Sequence, residues 1–551
     1  MNPTEDRPTE SGNDTAGFPT FDVQRTVIAV AYAPGDAATL LELLTVFRDD
    51  PRVAVHITID SATPVHTDTS AFLHDHGIEA VDWDATHRHD AHLVLTASTV
   101  ADVTGFDAPL VVLTSGSSLQ RHTIDSATGQ LHLHGVPSAE CAKLPNLHML
   151  VAHSGRQERL SNQDRDLAAR TTVVGDPVHD RLIASQRMRH CYREELSISE
   201  DHQLILVAAS SGPHSLLGHH PHLAERLLTQ LPRDRYRVAA ALHPDIWSWH
   251  GAWQVRNALH AAREAGLILL PPWTGWGAAL VAADCVVADH GPLALYAAAL
   301  DHPILLGTSE DTPDPDTPLA ELAKSAPRLD PDDDLRRHVH DAITQHNTGR
   351  YAQVAEAAFD TVEATPRRIA NQLYELLGLT GGTARLHTLT APHASAQEPV
   401  AFNIRTRYDE RGVLTVERFP ATGHSREAMA EAPHNLTVVE NADVELDDAL
   451  AAEATVIACA QTLTLTEGKD WVPGALQRYP RSVMAAVSTP EGCLIALRDG
   501  PWLRMQAARG LDATLCAAVV HTRYRAGAVS TGDAAVRVGD WVWRGSVDPL
   551  S

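Results

Sequence analysis

Five short segments of this 551-residue chain combine residue types that can hold an anion. They are Gly175-Asp176-Pro177, Ser210-Ser211-Gly212-Pro213-His214, His243-Pro244-Asp245, Pro271-Pro272-Trp273-Thr274-Gly275 and Asp289-His290-Gly291-Pro292. Each follows a short apolar run that reads as a strand. Glycine lets backbone N–H groups come close to a phosphate, and the first turn of a following helix presents unbonded N–H groups and the positive end of its dipole. Any one of these segments is ordinary for a strand-to-helix loop. Five on one sheet edge predict a ligand cleft, because ligands of open α/β sheets bind beyond the carboxyl ends of the strands.

The elements that must position these loops are legible as alternation. Strand-like runs at 26–32, 53–59, 92–97, 110–114 and 147–153, with a helical stretch at 38–48, predict a first parallel α/β lobe over 21–165, after a polar, disordered tail at 1–20. Runs at 172–174, 204–209, 237–242, 267–270, 285–288 and 304–306 predict a second lobe over 166–380. Helices are expected there at 180–195, 222–231, 253–265, 277–283 and 294–300. These runs are continuously apolar rather than alternating, so their strands are covered on both faces, as in a doubly wound sheet. An acidic, proline-containing stretch follows at 309–335, then helices at 336–364 and 366–379. Residues 381–398 read as a linker. A third domain over 399–551 is expected to be α+β, with a hairpin at 400–419 around Glu410-Arg411-Gly412 and antiparallel strand at 482–505. Turns are expected there at Pro490-Glu491-Gly492 and Asp499-Gly500, with helices near 445–454 and 511–526.

Bulk composition narrows the function classes. The formal net charge is −26. Such a surface repels nucleic acid and anionic lipid head groups unless a basic patch is segregated on one face, and no Lys/Arg run suggests one. No apolar run approaches the roughly 20 residues that span a bilayer. The first residues lack a secretory signal, so no integral membrane segment and a cytoplasmic location are expected. The six cysteines form no CxxC pair and several lie in apolar stretches, which predicts buried thiols.

The segments Val174-Gly175-Asp176-Pro177 with Asp180, Leu242-His243-Pro244, and Ala283-Asp284-Cys285-Val286-Val287-Ala288-Asp289-His290-Gly291 resemble the second lobe of the CDP-glycerol glycerophosphotransferase family. The last is followed by Tyr296-Ala297-Ala298-Ala299-Leu300 and Pro303-Ile304-Leu305, which extends the likeness. These are teichoic-acid polymerase-like enzymes of GT-B fold. A broader likeness extends to nucleotide-sugar transferases and UDP-N-acetylglucosamine 2-epimerases. The resemblance covers roughly residues 90–310 and implies an α/β, GT-B-like chain of two doubly wound Rossmann-type lobes. It places a nucleotide diphosphate against Asp289, His290, Gly291 and the helix they open, and makes His243 a phosphate-contacting or acid/base residue. Gly175 and Pro177 shape the start of the second lobe, near the interlobe cleft. With the loop Ser210, Ser211 and Gly212 these complete the candidate binding set. The chain departs from the family at Pro292, where a Ser or Thr is common. It departs again at Thr114-Ser115-Gly116-Ser117, where the family has a His-Gly pair whose histidine serves as base. His153-Ser154-Gly155 offers another histidine after a strand-like run.

The expected function is therefore a transferase moving glycerophosphate or a sugar from a nucleotide-diphosphate donor to a hydroxyl acceptor. The alternatives are a catalytically degenerate binding or assembly module that finds a protein partner through the C-terminal domain, and a nucleotide-sugar epimerase-like enzyme. No cofactor is expected. Gly275-Trp276-Gly277 lacks the third glycine of a dinucleotide fingerprint, and no Walker A, HExxH or GxSxG motif occurs. The groups His87, His89, Asp90, His92 and His214, His219, His220, His222 invite metal, but surface histidine is the plainer reading. Trp249 and Trp253 stand four apart, which on one helix stacks both indoles on one face. Trp541 and Trp543 alternate as on one face of a strand.

Overall fold

The computed structural model describes residues 22–86, 90–114, 119, 122–124, 131–133, 135–289, 291–307, 313–360, 365–381, 387–394, 396–422, 435–441, 448–507, 511–527 and 531–550. By contact density the chain divides into two units, one comprising 1–113, 137–149 and 366–385 and the other the remainder.

The first sheet holds β1 (Arg25–Ala31), β2 (Val53–Ile59), β3 (Leu93–Thr96) and β4 (Leu110–Leu113). A short antiparallel pair, β5 (His122–Ile124) and β6 (Leu131–Leu133), stands outside it. The sheet is completed by β7 (Leu147–Val151) and β8 (Thr171–Val173), in the order β2-β1-β3-β4-β7-β8. Pairing from β2 through β4 is parallel. The sequence places a strand at 172–174 in the second lobe. The structure makes it an edge of the first sheet, so the loop carrying Gly175 does not share an edge with the other four.

The second sheet has the order β11-β10-β9-β12-β13: β9 (Gln203–Ala209), β10 (Tyr236–Leu242), β11 (Ile268–Leu269), β12 (Cys285–Ala288) and β13 (Ile304–Leu306). All its pairings are parallel. Along β9, Leu204, Leu206 and Ala208 enter one apolar cluster while Ile205, Val207 and Ala209 enter another. The period of two thus delivers a layer of side chains to each face, which is why the run is apolar at every position.

Several helices are shorter than the periodicity predicts. The stretch 180–195 divides into Pro177–Ser185, a 3-10 turn at Gln186–Met188, and Arg189–Glu195. The stretch 253–265 becomes Ala252–Ala258 and His260–Glu264, and 336–364 becomes Leu335–Thr344 and Ala352–Ala358. Helix Thr365–Leu376 stands where 366–379 is expected.

The C-terminal region is a closed barrel, β14-β15-β21-β22-β20-β19-β18-β17-β16. Its strands are β14 (Ala401–Tyr408), β15 (Leu414–Pro420), β16 (Leu436–Glu440), β17 (Val456–Cys459), β18 (Met484–Thr489), β19 (Gly492–Leu497), β20 (Trp502–Ala507), β21 (Gly532–Val538) and β22 (Trp541–Pro549). The hairpin of β14 and β15 and the antiparallel run β18-β19-β20 lie where the sequence places them. Helix Ala513–Arg525 is buried at every position from Ala513 to His521 and shares one apolar cluster with strand residues from around the barrel, among them Ile404, Val456, Met484, Ile495, Met505 and Val536. A helix apolar on all sides belongs inside a core, and this one fills the barrel. Helix Leu465–Arg478, missing from the sequence reading, packs Val472 on a separate cluster with Ala485, Val487, Leu494 and Ala496. The alternating neighbours of those residues face the enclosed helix. The barrel is fastened to the second sheet's layer by charge: Arg418 of β15 reaches Asp234, and Arg336 grips both carboxylate oxygens of Glu417. Arg418 also reaches Asp512, the cap of the enclosed helix.

Candidate functional site

β10, β9 and β12 are adjacent in the second sheet, and the loops that leave them are tied together by two carboxylates. Asp289, at the end of β12, is 2 % exposed. Its Oδ2 accepts from Ser210 N at 2.8 Å, Ser210 Oγ at 2.7 Å and Leu216 N at 3.1 Å; its Oδ1 accepts from Gly291 N at 3.2 Å. One side chain therefore fixes the start of the Ser210 loop, the short helix Leu216–His219 beyond it, and the residue before helix Pro292–Ala299. The carboxylate is a brace for the loops. The resemblance puts it directly against a diphosphate, whereas its oxygens already accept four donors, and a carboxylate offers a phosphate only repulsion.

The second tie is Asp245, whose Oδ2 lies 3.4 Å from Ser211 Oγ and 3.4 Å from His243 Nδ1. His243 is the N-cap of helix Pro244–His250, and its Nδ1 accepts from Asp245 N at 3.2 Å. With Nδ1 used as an acceptor, the neutral ring carries its proton on Nε2, ready to donate. The His243 side chain is about one-third exposed. Backbone bonds complete the register: His243 N donates to Ala209 O at 2.9 Å and Gly307 N to Ala288 O at 2.8 Å. Gly212 has φ +99°, and a Cβ there meets nothing within 4 Å. Gly291 is tighter, with a Cβ reaching 3.0 Å from Asp289 Oδ1. Pro292 takes the first helical position, which suits its missing N–H.

The structure thus brings together Ser210, Ser211, His243, Asp289 and Gly291, with Gly212 in the same loop. His290 lies outside the described residues, as do Ser115, Gly116 and Ser117. Gly175 is held elsewhere. It has φ +100°, and a Cβ would fall 2.0 Å from Thr365 Oγ1. Its neighbour Asp176 caps helix Pro177–Ser185, accepting from Val178 N and His179 N, and receives Tyr296 OH at 3.0 Å. Tyr296 belongs to helix Pro292–Ala299, so this loop bears on the site through that helix.

His153 repeats the arrangement of His243: it caps helix Ser154–Gln163 with Nδ1 accepting from Gly155 N at 3.1 Å. Burial lowers its pKa, against the opposing pull of Asp360. Asp245 was absent from the candidate set read from the sequence, yet its carboxylate is what links the His243 loop to the Ser211 loop. Its signal was present, since an Asp in the first turn after a strand-ending His can reach a neighbouring loop.

The other described histidines are held as follows. His92 Nδ1 accepts from Thr26 N at 3.2 Å, while His87 and His89 lie outside the described residues. His214, His219 and His220 approach pairwise, with ring centroids 5.9 and 6.2 Å apart. Among the described residues no three His, Cys, Asp or Glu are grouped to hold a cation. A cavity of about 450 Å³ in the first unit, lined by residues such as Leu41, Phe47, Val55, Ile57 and Val81, contains none of the predicted site residues.

No protein-family model and no curated protein matches the chain. Among solved structures it is similar to a variant of the wall teichoic acid polymerase TagF, at 11% identity and TM-score 0.44, covering 65% of this chain and 90% of that one. MnaA of S. aureus, in a co-structure with UDP, overlaps at 11% identity and TM-score 0.44, over 65% of this chain and 98% of that one. A UDP-GlcNAc 2-epimerase from Neisseria meningitidis overlaps at 12% identity and TM-score 0.39, over 64% and 99%. At these values the matches assign neither family nor activity to this chain.

Proposed function

We propose that the chain is a GT-B-type transferase that takes a nucleotide-diphosphate-linked donor and passes its glycerophosphate or sugar group to a hydroxyl acceptor. The observation that carries this reading is the Asp289 brace, which holds two loops and a helix start in fixed register at the ends of the central strands. Preorganised donors of that kind stabilise phosphate charge without reorganising at the moment of reaction. In this reading Ser211, Gly212 and His290 contribute donors to the diphosphate, Ser210, Asp289 and Gly291 hold the loops, and Gly175 shapes the loop that bears on helix Pro292–Ala299. His243 contacts phosphate through Nε2–H, or returns a proton to the leaving group.

The test is thermal stability against CDP, UDP, GDP and ADP and their glycerol or sugar conjugates. A ligand that binds only the folded chain, at a hundred times its Kd, stabilises by about 2.7 kcal/mol. One nucleotide is expected to shift Tm, and His243→Ala to reduce slow donor hydrolysis without acceptor. No shift with any nucleotide would overturn the reading in favour of a partner-binding module. Interconversion of free nucleotide sugars without acceptor would instead mark an epimerase.

A further inference from the structure

Asp289 and Asp245 tie together the loops after β9, β10 and β12. The loops at Gly175 and Gly275 meet a different residue, Tyr296, in the second turn of helix Pro292–Ala299. Its hydroxyl donates to Asp176 Oδ2 at 3.0 Å, in the loop after β8. Its ring lies 6.0 Å, centroid to centroid, from Trp276, the first residue of helix Trp276–Ala282 behind Gly275. The same ring stacks on Phe359 at 5.3 Å and 15°, and Phe359 stacks on His179 at 4.4 Å and 6°. All of these residues belong to one compact unit.

Packing alone does not call for the hydroxyl. Tyr296 is buried in an apolar cluster with Leu280, Leu295 and Phe359, where phenylalanine would fill the same space with no polar atom to desolvate. The partner is costly as well. Asp176 is 1% exposed and also accepts from Val178 N and His179 N. Beside the pair lies Arg156, buried on helix Ser154–Gln163; burial lowers its pKa, against the pull of Asp176 and Tyr296. A hydrogen-bonded network of this kind inside an apolar core selects one arrangement among those that packing would tolerate.

We propose that Tyr296 is a positioning residue of the donor site: its hydroxyl, held by Asp176, fixes the seating of helix Pro292–Ala299 and with it the Asp289–Gly291 loop that opens the helix. Five residues separate Tyr296 from Gly291, about 7.5 Å along a helix axis, so a tilt or rotation freed at the tyrosine is carried to the loop almost undiminished. Sites that hold a ligand by preorganised donors lose affinity when those donors move by a fraction of an ångström. Being buried, Tyr296 acts through the helix and not by contact with the donor. This role rests on the donor reading given above, whereas the tie itself does not.

Tyr296→Phe keeps the rings and removes the hydroxyl alone. CDP, UDP, GDP and ADP are titrated by calorimetry into the full-length parent chain and into the variant, well below the Tm of either. The nucleotide that binds the parent is expected to bind Tyr296→Phe about fivefold more weakly. Tyr374→Phe is the control, since it removes a hydroxyl that donates to Asp50 Oδ2 at 2.8 Å in the other unit. Both variants should lower Tm, because each deprives a carboxylate of one donor, and only Tyr296→Phe should weaken nucleotide binding. Without nucleotide, amide hydrogen exchange should quicken over 175–180 and 291–296 in Tyr296→Phe and not in Tyr374→Phe. Equal affinity in parent and Tyr296→Phe, equal weakening by both variants, or unchanged exchange overturns the proposal and leaves the donor reading standing. Failure of the parent chain to bind any of the four nucleotides overturns both.

Discussion

Asp289 shows how one buried carboxylate can tie two loops and a helix start together. Replacing it with Asn leaves one oxygen to accept where two served, and turns an NH2 group toward backbone N–H donors. Asp289→Asn is expected to lose about 1–3 kcal/mol of stability in urea melts, the cost of leaving buried donors unsatisfied, and to abolish the nucleotide-induced Tm shift. His243→Ala removes a helix cap as well as a donor, so it should cost about 1 kcal/mol of stability besides its effect on donor hydrolysis. Gly175 is constrained twice, by φ +100° and by Thr365 Oγ1 2.0 Å from the position of a Cβ. Gly175→Ala should destabilise by about 1–3 kcal/mol, and adding Thr365→Gly should recover only part of it, because the backbone strain remains.

At the scale of elements, the enclosed helix Ala513–Arg525 is the least tolerant segment of the barrel. Its alanines let it fit among strand residues approaching from all sides, and Ala518 is fully buried. Ala518→Leu inserts three carbons where none fits and should cost about 1–3 kcal/mol by denaturant unfolding. The same change at exposed Ala252 should be nearly neutral. The helix Leu465–Arg478 escaped the sequence reading because Gly468 and Pro473 lie within it and read as breakers. Its capping box, Thr464 with Glu467, overrides that signal: Thr464 Oγ1 accepts from Glu467 N at 3.3 Å and Glu467 accepts from Thr464 N at 2.9 Å.

At the scale of the molecule, burial pushes the pKa of His202, His302 and His521 down to about 4. These rings are neutral when folded and take up a proton near pH 6.5 when unfolded, so between those values the unfolded chain binds more protons. Stability is then fully present above pH 6.5 and is lost as the pH falls from 6.5 toward 4. Tm is expected to drop over that window, and His302→Leu should flatten the drop. A Tm that holds level from pH 6.5 to 4.5 would refute it. Arg418 ties the barrel to the second sheet's layer through Asp234 and to the barrel's own enclosed helix through Asp512, so Arg418→Met leaves two carboxylates without their shared cation. It should cost about 3–5 kcal/mol in denaturant melts.

Much of the architecture follows from local pattern. The runs 53–59, 204–209, 237–242 and 285–288 are strands because β-branched and aliphatic residues fill every position but His56, Arg237 and Cys285, and that near-continuity predicts coverage on both faces. The hairpin around Glu410-Arg411-Gly412 follows from turn chemistry and alternation. The positions of Ser210, Gly212, His243, Asp289 and Gly291 at strand ends follow from the same reading. What the pattern could not decide is partnership. Whether the strand before Gly175 joins one sheet or the other depends on hydrogen bonds to residues distant in sequence, and an edge strand carries no local mark of its neighbour. The inward turn of Asp289, the tie from Asp245 to Ser211, the closure of the C-terminal strands around a helix and the bond from Tyr296 to Asp176 are all of this kind. Each depends on which groups meet across the fold, and those meetings are set by tertiary packing rather than by the residues on either side.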